Sequence, residues 1–373
     1  MASRSVSFVR RRLGMFAVRT SLSSFRCSGA LASSSSEIRL FSSSSSTKKG
    51  LFEDHSADNV DYSDILAAFE RDGVGVVPNF ATPEECRALM DRMAVLVEGW
   101  DPENPEEESV VFRTDGEQLK NQGSSDYFLD SGDKVHFFLE AAAVDPSTGK
   151  LEKGRKKEES LNKVGHGLHV ADPLFREYSQ SKRVARLVQA LGWKDPVLPQ
   201  SMYIFKQPFD GDEVTSHQDS SFLYTEPRQT CLGLWLALED ATLDNGCIWA
   251  RRGSHREPLR RHFRRNPEYF SEGNADAPKM QFLEKSEQDN ITWEGGFPEQ
   301  GAEAAGFEAF PVRAGDLVLI HGLVDHMSMQ NTSPKSRHTF QLHLVEGPSE
   351  GVTWSEHNWL QVSTPFLSLL PRH

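Results

Sequence analysis

The part of the chain that most restricts its fold begins near residue 200. From there on, short segments rich in β-branched and aromatic residues alternate with turn-forming residues, a pattern that predicts many short strands. Two amphipathic helices are predicted before this region, one after Thr82 and one over residues 173–191. Helices followed by a long run of strands predict a mainly β fold with flanking helices. The predicted strands cover residues 202–205, 232–238, 247–250, 310–312, 317–321, 326–330 and 337–345.

The predicted folded part starts near residue 60 and runs to residue 373 as a single domain. Its clearest local signal is Thr82 followed by Pro83 and, three residues after Thr82, Glu85. This combination predicts the start of a helix, because threonine caps the first turn, proline fits the first helical position and glutamate completes the cap. Residues 264–307 lack the strand pattern and predict an insertion in the domain.

Residues 1–46 differ in composition from everything that follows. They are rich in serine and arginine, and Glu37 is their one acidic residue. This composition predicts an organellar transit peptide. The sequence at residues 39–42, Arg-Leu-Phe-Ser, resembles the site at which mitochondrial presequences are cut, so a mitochondrial location is predicted. Chloroplast import, or a disordered tail on a cytoplasmic protein, are the alternatives.

Outside this leader the chain is strongly acidic. Residues 1–50 hold nine of the 41 basic residues and one of the 54 acidic ones, which leaves 32 against 53, a formal charge of −21. Such a charge disfavours nucleic-acid binding, and no segment approaches the roughly 20 apolar residues of a membrane span. Cys86, Cys231 and Cys247 lie among apolar neighbours without paired spacing, which predicts reduced core residues of an intracellular protein. No signal indicates an obligate protein partner.

A histidine and an aspartate two residues apart, His217 and Asp219, form the first candidate for a metal site. In an extended segment these two side chains share a face and can bind one cation. The chain holds one other pair of this kind, His255 and Glu257, in a glycine- and arginine-rich run that predicts a surface turn. Two ligands do not make a site, so a third must come from elsewhere in the chain.

The third ligand is predicted to be His326 rather than His321. Residues His326, Ser328 and Gln330 share one face of their predicted strand. The turn-forming residues that follow predict a hairpin, which would set Arg337 opposite Gln330 on that face. One face would then present an imidazole, a hydroxyl and a guanidinium. His321 ends the preceding strand without such neighbours and is interpreted as a buried structural histidine.

Two histidines and one aspartate on a β scaffold form a facial triad, which leaves coordination positions open and is typical of non-haem Fe(II) sites that use O₂. Ser328 and Arg337 together suit a carboxylate. The combination predicts a dicarboxylate co-substrate, 2-oxoglutarate. A metal-binding barrel without a redox role and a catalytically idle relative are the alternatives. The Ser328 and Arg337 pair argues against the first, and the intact triad argues against the second.

Several segments between residues 161 and 361 are long enough to identify a family. Among them are LNKVGHGLH (161–169), QSMYIFKQP (200–208), SHQDSSFLYTEP (216–227) and LVLIHGLVDHMSMQN (317–331). These segments resemble the phytanoyl-CoA dioxygenase family of Fe(II)- and 2-oxoglutarate-dependent oxygenases. The resemblance implies a double-stranded β-helix, a cupin-like jelly-roll barrel that holds metal at its mouth.

The resemblance also implies roles for individual residues. The iron ligands would be His217, Asp219 and His326, and the distal carboxylate of 2-oxoglutarate would bind Arg337 and Ser328. It adds three further co-substrate contacts that spacing alone does not indicate: Lys163, Met202 and Trp235. By spacing alone, the methionine and the tryptophan fit a plain barrel core, and the lysine fits a solvated surface.

The activity that the resemblance implies is hydroxylation of a small molecule, with O₂ consumed and 2-oxoglutarate converted to succinate and CO₂. Asp219 argues against a halogenating relative, which would have a small residue there to admit chloride. The family name suggests a lipid or acyl-CoA substrate. The chain departs from the family pattern at residues 250–252 and 264–307, where substrate selection is expected. Seven arginines within residues 251–265 predict either a solvated patch or a site for an anionic substrate group.

Overall fold

The computed structural model describes residues 50–52, 61–104, 110–114, 123, 125–285 and 296–370, and the predicted leader lies outside them. The helices within these residues are α1 (Ser63–Asp72), α2 (Pro83–Gly99), α3 (Asp126–Leu129), α4 (Leu168–Ala171), α5 (Pro173–Ser179), α6 (Lys182–Ala190) and α7 (Pro267–Phe270). The strands are β1 (Val74–Val77), β2 (Val110–Val111), β3 (Val135–Leu139), β4 (Leu161–His166), β5 (Pro196–Ile204), β6 (Val214–His217), β7 (Thr225–Glu226), β8 (Leu232–Ala237), β9 (Ile248–Ala250), β10 (Arg261–Arg265), β11 (Met280–Glu284), β12 (Glu308–Phe310), β13 (Leu317–His321), β14 (His326–Ser328), β15 (Thr339–Glu346), β16 (Thr353–Trp354) and β17 (Leu367–Ser368).

Helix α2 begins at the predicted position. The Thr82 hydroxyl accepts a hydrogen bond from the Glu85 backbone N–H at 3.2 Å, and the Glu85 carboxylate accepts one from the Thr82 N–H at 2.7 Å. The predicted single helix over residues 173–191 is wrong, because the structure has two helices there, α5 and α6. Ser181 between them is extended, and its hydroxyl accepts a hydrogen bond from Val184 N–H, so it caps the second helix.

Most of the strands belong to two largely antiparallel sheets between which the chain alternates, and β10-β11 and β16-β7 form separate two-stranded sheets. The larger sheet has the order β1-β13-β8-β15-β5-β4-β3-β2, with β17 also paired to β5, and the smaller one has the order β12-β9-β14-β6. Successive strands from β5 to β15 mostly switch from one of these sheets to the other, which is how a double-stranded β-helix is built. The predicted mainly β jelly-roll with flanking helices is therefore confirmed.

The predicted hairpin between residues 326–330 and 337–345 is wrong. Strand β14 pairs with β6 and β9 in the smaller sheet, whereas β15 pairs with β5 and β8 in the larger one. The chain therefore crosses from one sheet to the other after Ser328 instead of folding back on itself. The side chain of Asn331 fixes this crossing, because its Nδ2 donates to the carbonyls of Lys206 and Lys335 at 3.0 and 2.7 Å.

The main hydrophobic core lies between the outward face of the larger sheet and the helices. Phe175 of α5 packs against Tyr203 of β5 and Phe340 of β15, with ring centroids 6.2 and 4.9 Å apart. Leu89 of α2 and Leu187 of α6 are fully buried in the same cluster. Burying side chains of this size stabilises the fold by about 2 kcal/mol each. Because neighbouring residues of a strand face opposite ways, the residues next to these core positions point into the barrel.

Part of the predicted insertion has regular structure. Strands β10 and β11 form a two-stranded ribbon, joined through the short helix α7, and residues 286–295 lie outside the described part of the chain.

The three cysteines expected in the core, Cys86, Cys231 and Cys247, are free and buried. Among the described residues, none of the helices has the length and apolar character needed to cross a membrane.

Candidate metal and co-substrate site

The inward face of the larger sheet brings together three residues that are far apart in sequence. Met202 of β5 lies opposite Gly165 on one side and Gln341 on the other, and Gln341 lies opposite Trp235 of β8. Lys163 is two residues from Gly165 and therefore shares its face. Sheet register thus gathers Lys163, Met202 and Trp235, and all three line one cavity together with His217, Asp219 and His326.

The smaller sheet supplies the two histidines. His217 at the end of β6 and His326 at the start of β14 are direct cross-strand partners, and their ring centroids are 4.2 Å apart. Asp219 follows two residues after His217, where the strand gives way to a short 3₁₀ turn. One ligand atom from each of these three residues lies within 4.8 Å of the other two. The structure therefore brings together the three residues that the sequence singled out as metal ligands.

Hydrogen bonds fix which nitrogen of each histidine faces the cluster. The Nδ1 of His217 is 2.8 Å from the carbonyl of Thr215, and the Nδ1 of His326 is 3.1 Å from the carbonyl of Val324. A carbonyl only accepts, so each Nδ1 carries the proton and each Nε2 presents its lone pair to the cluster. Burial and the neighbouring His217 lower the pKa of His326 to about 4, so its imidazole is neutral at pH 7.

Asp219 lies between the imidazoles in ionised form. Its Oδ1 is 3.4 Å from His217 Nε2 and 3.6 Å from His326 Nε2. Burial alone would raise the pKa of this carboxyl group, but the charge that the imidazoles of His326 and His343 carry when protonated lowers it well below its usual range. The His343 Nε2 lies 3.3 Å from Asp219 Oδ2, although the two are not aligned as a hydrogen bond.

These residues fit a metal ion of the transition series. Ligand atoms at about 2.1 Å from one ion and at right angles to each other are about 3 Å apart, and the observed separations of 3.4 and 3.6 Å come close to this. Two neutral imidazoles and one carboxylate are the donor set of the facial triad. All three donors come from one side, so a bound ion would keep positions open toward the cavity.

The other end of the cavity is cationic. Arg337 is 1% exposed, and its guanidinium lies over the ring of Trp235 with its Cζ 5.2 Å from the centroid. Burial lowers the pKa of Arg337 to about 10, so it remains charged at neutral pH. Within the described residues, Arg337 Nε and Trp235 Nε1 are buried donors without a hydrogen-bond acceptor. Buried donors left in this state favour a bound acceptor, such as a carboxylate, in the cavity.

Ser328 also lines this end, and a lysine that sequence reasoning missed accompanies it. The ammonium of Lys206 donates to Ser328 Oγ at 2.9 Å and to the carbonyl of Asp212 at 2.7 Å. Lys206 is 2% exposed, and burial together with the nearby Arg337 lowers its pKa to about 7. Its sequence context offers no ligand pattern, so only the sheet-to-sheet crossing after Ser328 reveals this contact.

Lys163 is a buried lysine without a counter-charge in the described part of the chain. Its ammonium lies 3.3 Å from the centroid of the Phe112 ring and 3.7 Å from the sulfur of Met202, and it forms no salt bridge there. Burial lowers the pKa of Lys163 well below the ordinary lysine value. A lysine held in this way is poorly stable as a cation until an anion enters the cavity.

Replacing Lys163 with methionine is expected to stabilise the ligand-free protein at pH 7. The unfolded chain binds the lysine proton more tightly than the folded one, so the wild type gains stability as pH rises toward 10.5, the ordinary value. The gain in melting temperature of Lys163→Met over wild type should therefore shrink between pH 7 and pH 10. Melting curves at both pH values measure it, with Lys157→Met as the control. An equal difference at both pH values would contradict the interpretation.

His343 is the second residue that the sequence analysis missed. It lies on β15 opposite Gly233, and its Nδ1 is 3.3 Å from the amide nitrogen of Gln200. A signal for it exists, because His343 is six residues after Arg337 in the strand predicted over residues 337–345, and an even spacing on a strand keeps side chains on one face. The imidazole stands beside Asp219 without belonging to the set of three ligands.

The arginine-rich segment does not form a free patch. Arg251 and Arg260 both pair with Asp325, and Arg252 pairs with Asp72. Three of the seven guanidinium groups are therefore paired with carboxylates inside the fold. Arg261 lines the cavity, with its guanidinium 3.9 Å from the centroid of the Phe282 ring. His321, the rejected ligand, is half-buried beside His255 and is not part of the cluster of three, and the Leu323 N–H donates to its Nδ1.

The fold and the site together define a class: a jelly-roll barrel with a two-histidine, one-carboxylate metal site beside a cationic pocket. A sequence profile described as "Phytanoyl-CoA dioxygenase (PhyH)" matches residues 69–339. The chain belongs to this family, whose members are dioxygenases that depend on Fe(II) and 2-oxoglutarate.

Curated relatives match most of the chain. The zebrafish (Danio rerio) and mouse (Mus musculus) proteins named "Phytanoyl-CoA dioxygenase domain-containing protein 1" are 42% and 43% identical to it over 81% and 82% of its length, and over 96% of their own. The Arabidopsis thaliana protein named "Phytanoyl-CoA dioxygenase" is 40% identical over 80% of this chain and 93% of the relative.

Solved structures resemble the chain more distantly. The α-ketoglutarate-dependent epimerase SnoN from nogalamycin biosynthesis is 16% identical, with a TM-score of 0.47 over 82% of this chain and 98% of the epimerase. EctD from S. alaskensis, solved with 2-oxoglutarate and 5-hydroxyectoine, is 17% identical, with a TM-score of 0.48 over 79% of each chain.

Proposed function

We propose that this protein is a dioxygenase that hydroxylates a small molecule with a largely apolar body, while 2-oxoglutarate is converted to succinate and CO₂. The observation that carries the proposal is the content of a single cavity. At one end, His217, Asp219 and His326 offer a facial set of metal ligands, and at the other, Arg337 offers a buried guanidinium. A dicarboxylate is the co-substrate that can bind a metal and a guanidinium at the same time.

Each residue of the cavity would have a distinct task in this reaction. The triad would hold Fe(II), which supplies activation of O₂ and oxidative decarboxylation of 2-oxoglutarate when bound. Arg337 and Ser328 would bind the distal carboxylate, and the ring of Trp235 would keep the guanidinium of Arg337 in place. Lys163 would add a second positive charge near the same carboxylate or the C1 carboxylate.

The cavity walls support a substrate with an apolar body and an anionic group. Aromatic and aliphatic side chains line the cavity, among them Phe112, Phe128, Phe222, Leu223 and Trp359. Phe222 contacts both a candidate metal ligand and the ribbon formed by β10 and β11. Its ring centroid is 5.9 Å from that of His217 and 6.4 Å from that of Phe282, which lies on β11. Arg261 lies over the same Phe282 ring and lines the cavity. A carboxylate or phosphate of the substrate would contact this guanidinium, and the apolar body would lie along the aromatic rings.

The test is succinate formation by protein lacking residues 1–46, supplied with Fe(II), 2-oxoglutarate and air. We expect turnover that stops without iron or without O₂ and rises with the correct substrate. Acyl-CoA thioesters and fatty acids should stimulate it more than their uncharged methyl esters, and Arg261→Gln should remove this preference. A protein that binds the metal but forms no succinate with any of these compounds would instead be a non-redox metal-binding barrel or an idle relative.

A further inference from the structure

Lys206 contacts both of the residues that are proposed to bind the distal carboxylate, Ser328 and Arg337. Its ammonium donates to the Ser328 hydroxyl at 2.9 Å. Its carbonyl accepts from the backbone N–H of Arg337 at 3.2 Å and from the Asn331 amide at 3.0 Å. Lys206 therefore contacts both ends of the segment that crosses between the two sheets. At its start it contacts the side chain of Ser328, and at its end it contacts the backbone of Arg337.

The contact to Ser328 determines what that hydroxyl can do. A serine hydroxyl has one proton to donate and two lone pairs that accept. When Lys206 Nζ donates to one lone pair, the proton of Ser328 remains available for an acceptor on the cavity side. An ammonium donor also polarises the O–H bond, which strengthens the bond that it donates to a carboxylate. The lysine would thus act on the co-substrate through the serine.

The absence of a side chain at Gly246 leaves the space that the side chain of Lys206 occupies. A side-chain carbon added at Gly246 would lie 2.3 Å from Lys206 Cε and 2.6 Å from the carbonyl oxygen of Met329. Gly246 also has a φ of +85°, which L side chains rarely adopt. Lys206 itself has a φ of +41°. Within the described residues, its ammonium meets no carboxylate side chain at ion-pair distance, so a simple structural salt bridge does not explain its burial.

We propose that Lys206 is a positioning residue that orients the Ser328 hydroxyl and holds Arg337 in place, and that it thereby sets the affinity for the dicarboxylate co-substrate. This inference rests on the proposed function, since it assumes that Ser328 and Arg337 bind 2-oxoglutarate. It assigns Lys206 no contact with the reacting atoms. Its removal should therefore change co-substrate binding and leave turnover at saturation nearly intact.

The experiment compares wild type with Lys206→Met in the full-length chain. We expect the KM for 2-oxoglutarate to rise about tenfold, the effect of weakening one charge-assisted hydrogen bond, with kcat within about twofold. Lys157→Met is the matched control, because that ammonium also donates to two carbonyls, those of Glu98 and Trp100, and neither residue lines the cavity. It should leave both constants unchanged. A fall in kcat with an unchanged KM would overturn the proposal.

A double-mutant cycle tests whether the lysine acts through the serine. In a Ser328→Ala background, Lys206→Met should raise the KM by much less than in wild type, because the hydroxyl it orients is absent. An equal rise in both backgrounds would contradict this part of the proposal. Should Lys206→Met fail to fold, Gly246→Ala is a second test, because the added methyl group would collide with the side chain of Lys206 and shift it. It should raise the KM, and an unchanged KM in a folded Gly246→Ala protein would count against the role of Lys206.

Binding measurements separate this inference from the proposed function. The heat of 2-oxoglutarate binding can be measured with Mn²⁺ in place of iron, so that no turnover occurs. Wild-type protein that does not bind the co-substrate would contradict the proposed function itself. Wild-type binding that Lys206→Met leaves unchanged would contradict only the role of the lysine.

Discussion

Replacing Asp219 with alanine is expected to reduce succinate formation to the background rate. Asp219 Oδ1 faces the Nε2 atoms of both histidines at 3.4 and 3.6 Å, so its loss removes the one anionic donor of the proposed metal site. Neutral imidazoles alone bind a divalent ion far more weakly, and both iron affinity and turnover should fall together. Succinate release from 2-oxoglutarate under iron and air measures the loss.

A thermal shift provides a second readout that does not depend on activity. Mn²⁺ should raise the melting temperature of the wild type, because an ion that binds only the folded state stabilises it, and this shift should disappear in Asp219→Ala. Glu257→Ala is the matched control, since Glu257 belongs to the other histidine-x-acid pair and contacts Arg251. Turnover undiminished in Asp219→Ala, with Glu257→Ala also active, would refute the assignment of the metal ligands.

Replacing Arg337 with alanine is expected to raise the KM for 2-oxoglutarate by about 30-fold or more. Removing one partner of a buried, hydrogen-bonded charge pair costs about 2–5 kcal/mol, and each 1.4 kcal/mol is tenfold in affinity. Arg337 is buried beside Trp235 and reaches none of the three metal ligands by a hydrogen bond in the described structure. Metal affinity should therefore stay within a few-fold of the wild type.

The substitution Arg337→Lys tests whether geometry or charge alone matters at this position. Lysine keeps the charge but loses the planar fork that binds a carboxylate through two parallel hydrogen bonds, so we expect partial recovery of the affinity. Titration of 2-oxoglutarate into each variant with Mn²⁺ present gives the dissociation constants. Weaker metal binding in Arg337→Ala, with 2-oxoglutarate affinity unchanged, would show that the anchor lies elsewhere.

The sequence identified the short strands well, because alternation and turn residues are local signals. Strand β13 was predicted with its observed bounds, and helix α2 was predicted from the cap at Thr82. The break between α5 and α6 was missed, since apolar residues at helical spacing lie on both sides of it. Ser181 caps the second helix and is a local signal for this break, but the prediction gave more weight to the spacing of the apolar residues.

Which strands pair with each other could not be predicted from local sequence, because pairing depends on contacts between distant segments. The residues between Ser328 and Arg337 have turn composition, and that composition suits a hairpin as well as a crossing between two sheets. The predicted hairpin was wrong, yet Ser328 and Arg337 line the same cavity, because the two sheets face each other there. Lys206 was missed for the same reason, since its contact with Ser328 exists only when the crossing is known.

The direct pairing of β14 with β6 has a consequence for the biosynthesis of this protein. His326 follows His217 by more than a hundred residues, so a chain still emerging from the ribosome has only two of the three donors. Most of the chain must be translated before the third donor arrives, and β15, an inner strand of the larger sheet, follows later still. A nascent chain that ends before His326 therefore lacks the complete set of proposed metal donors, and we expect it to bind Fe(II) only weakly.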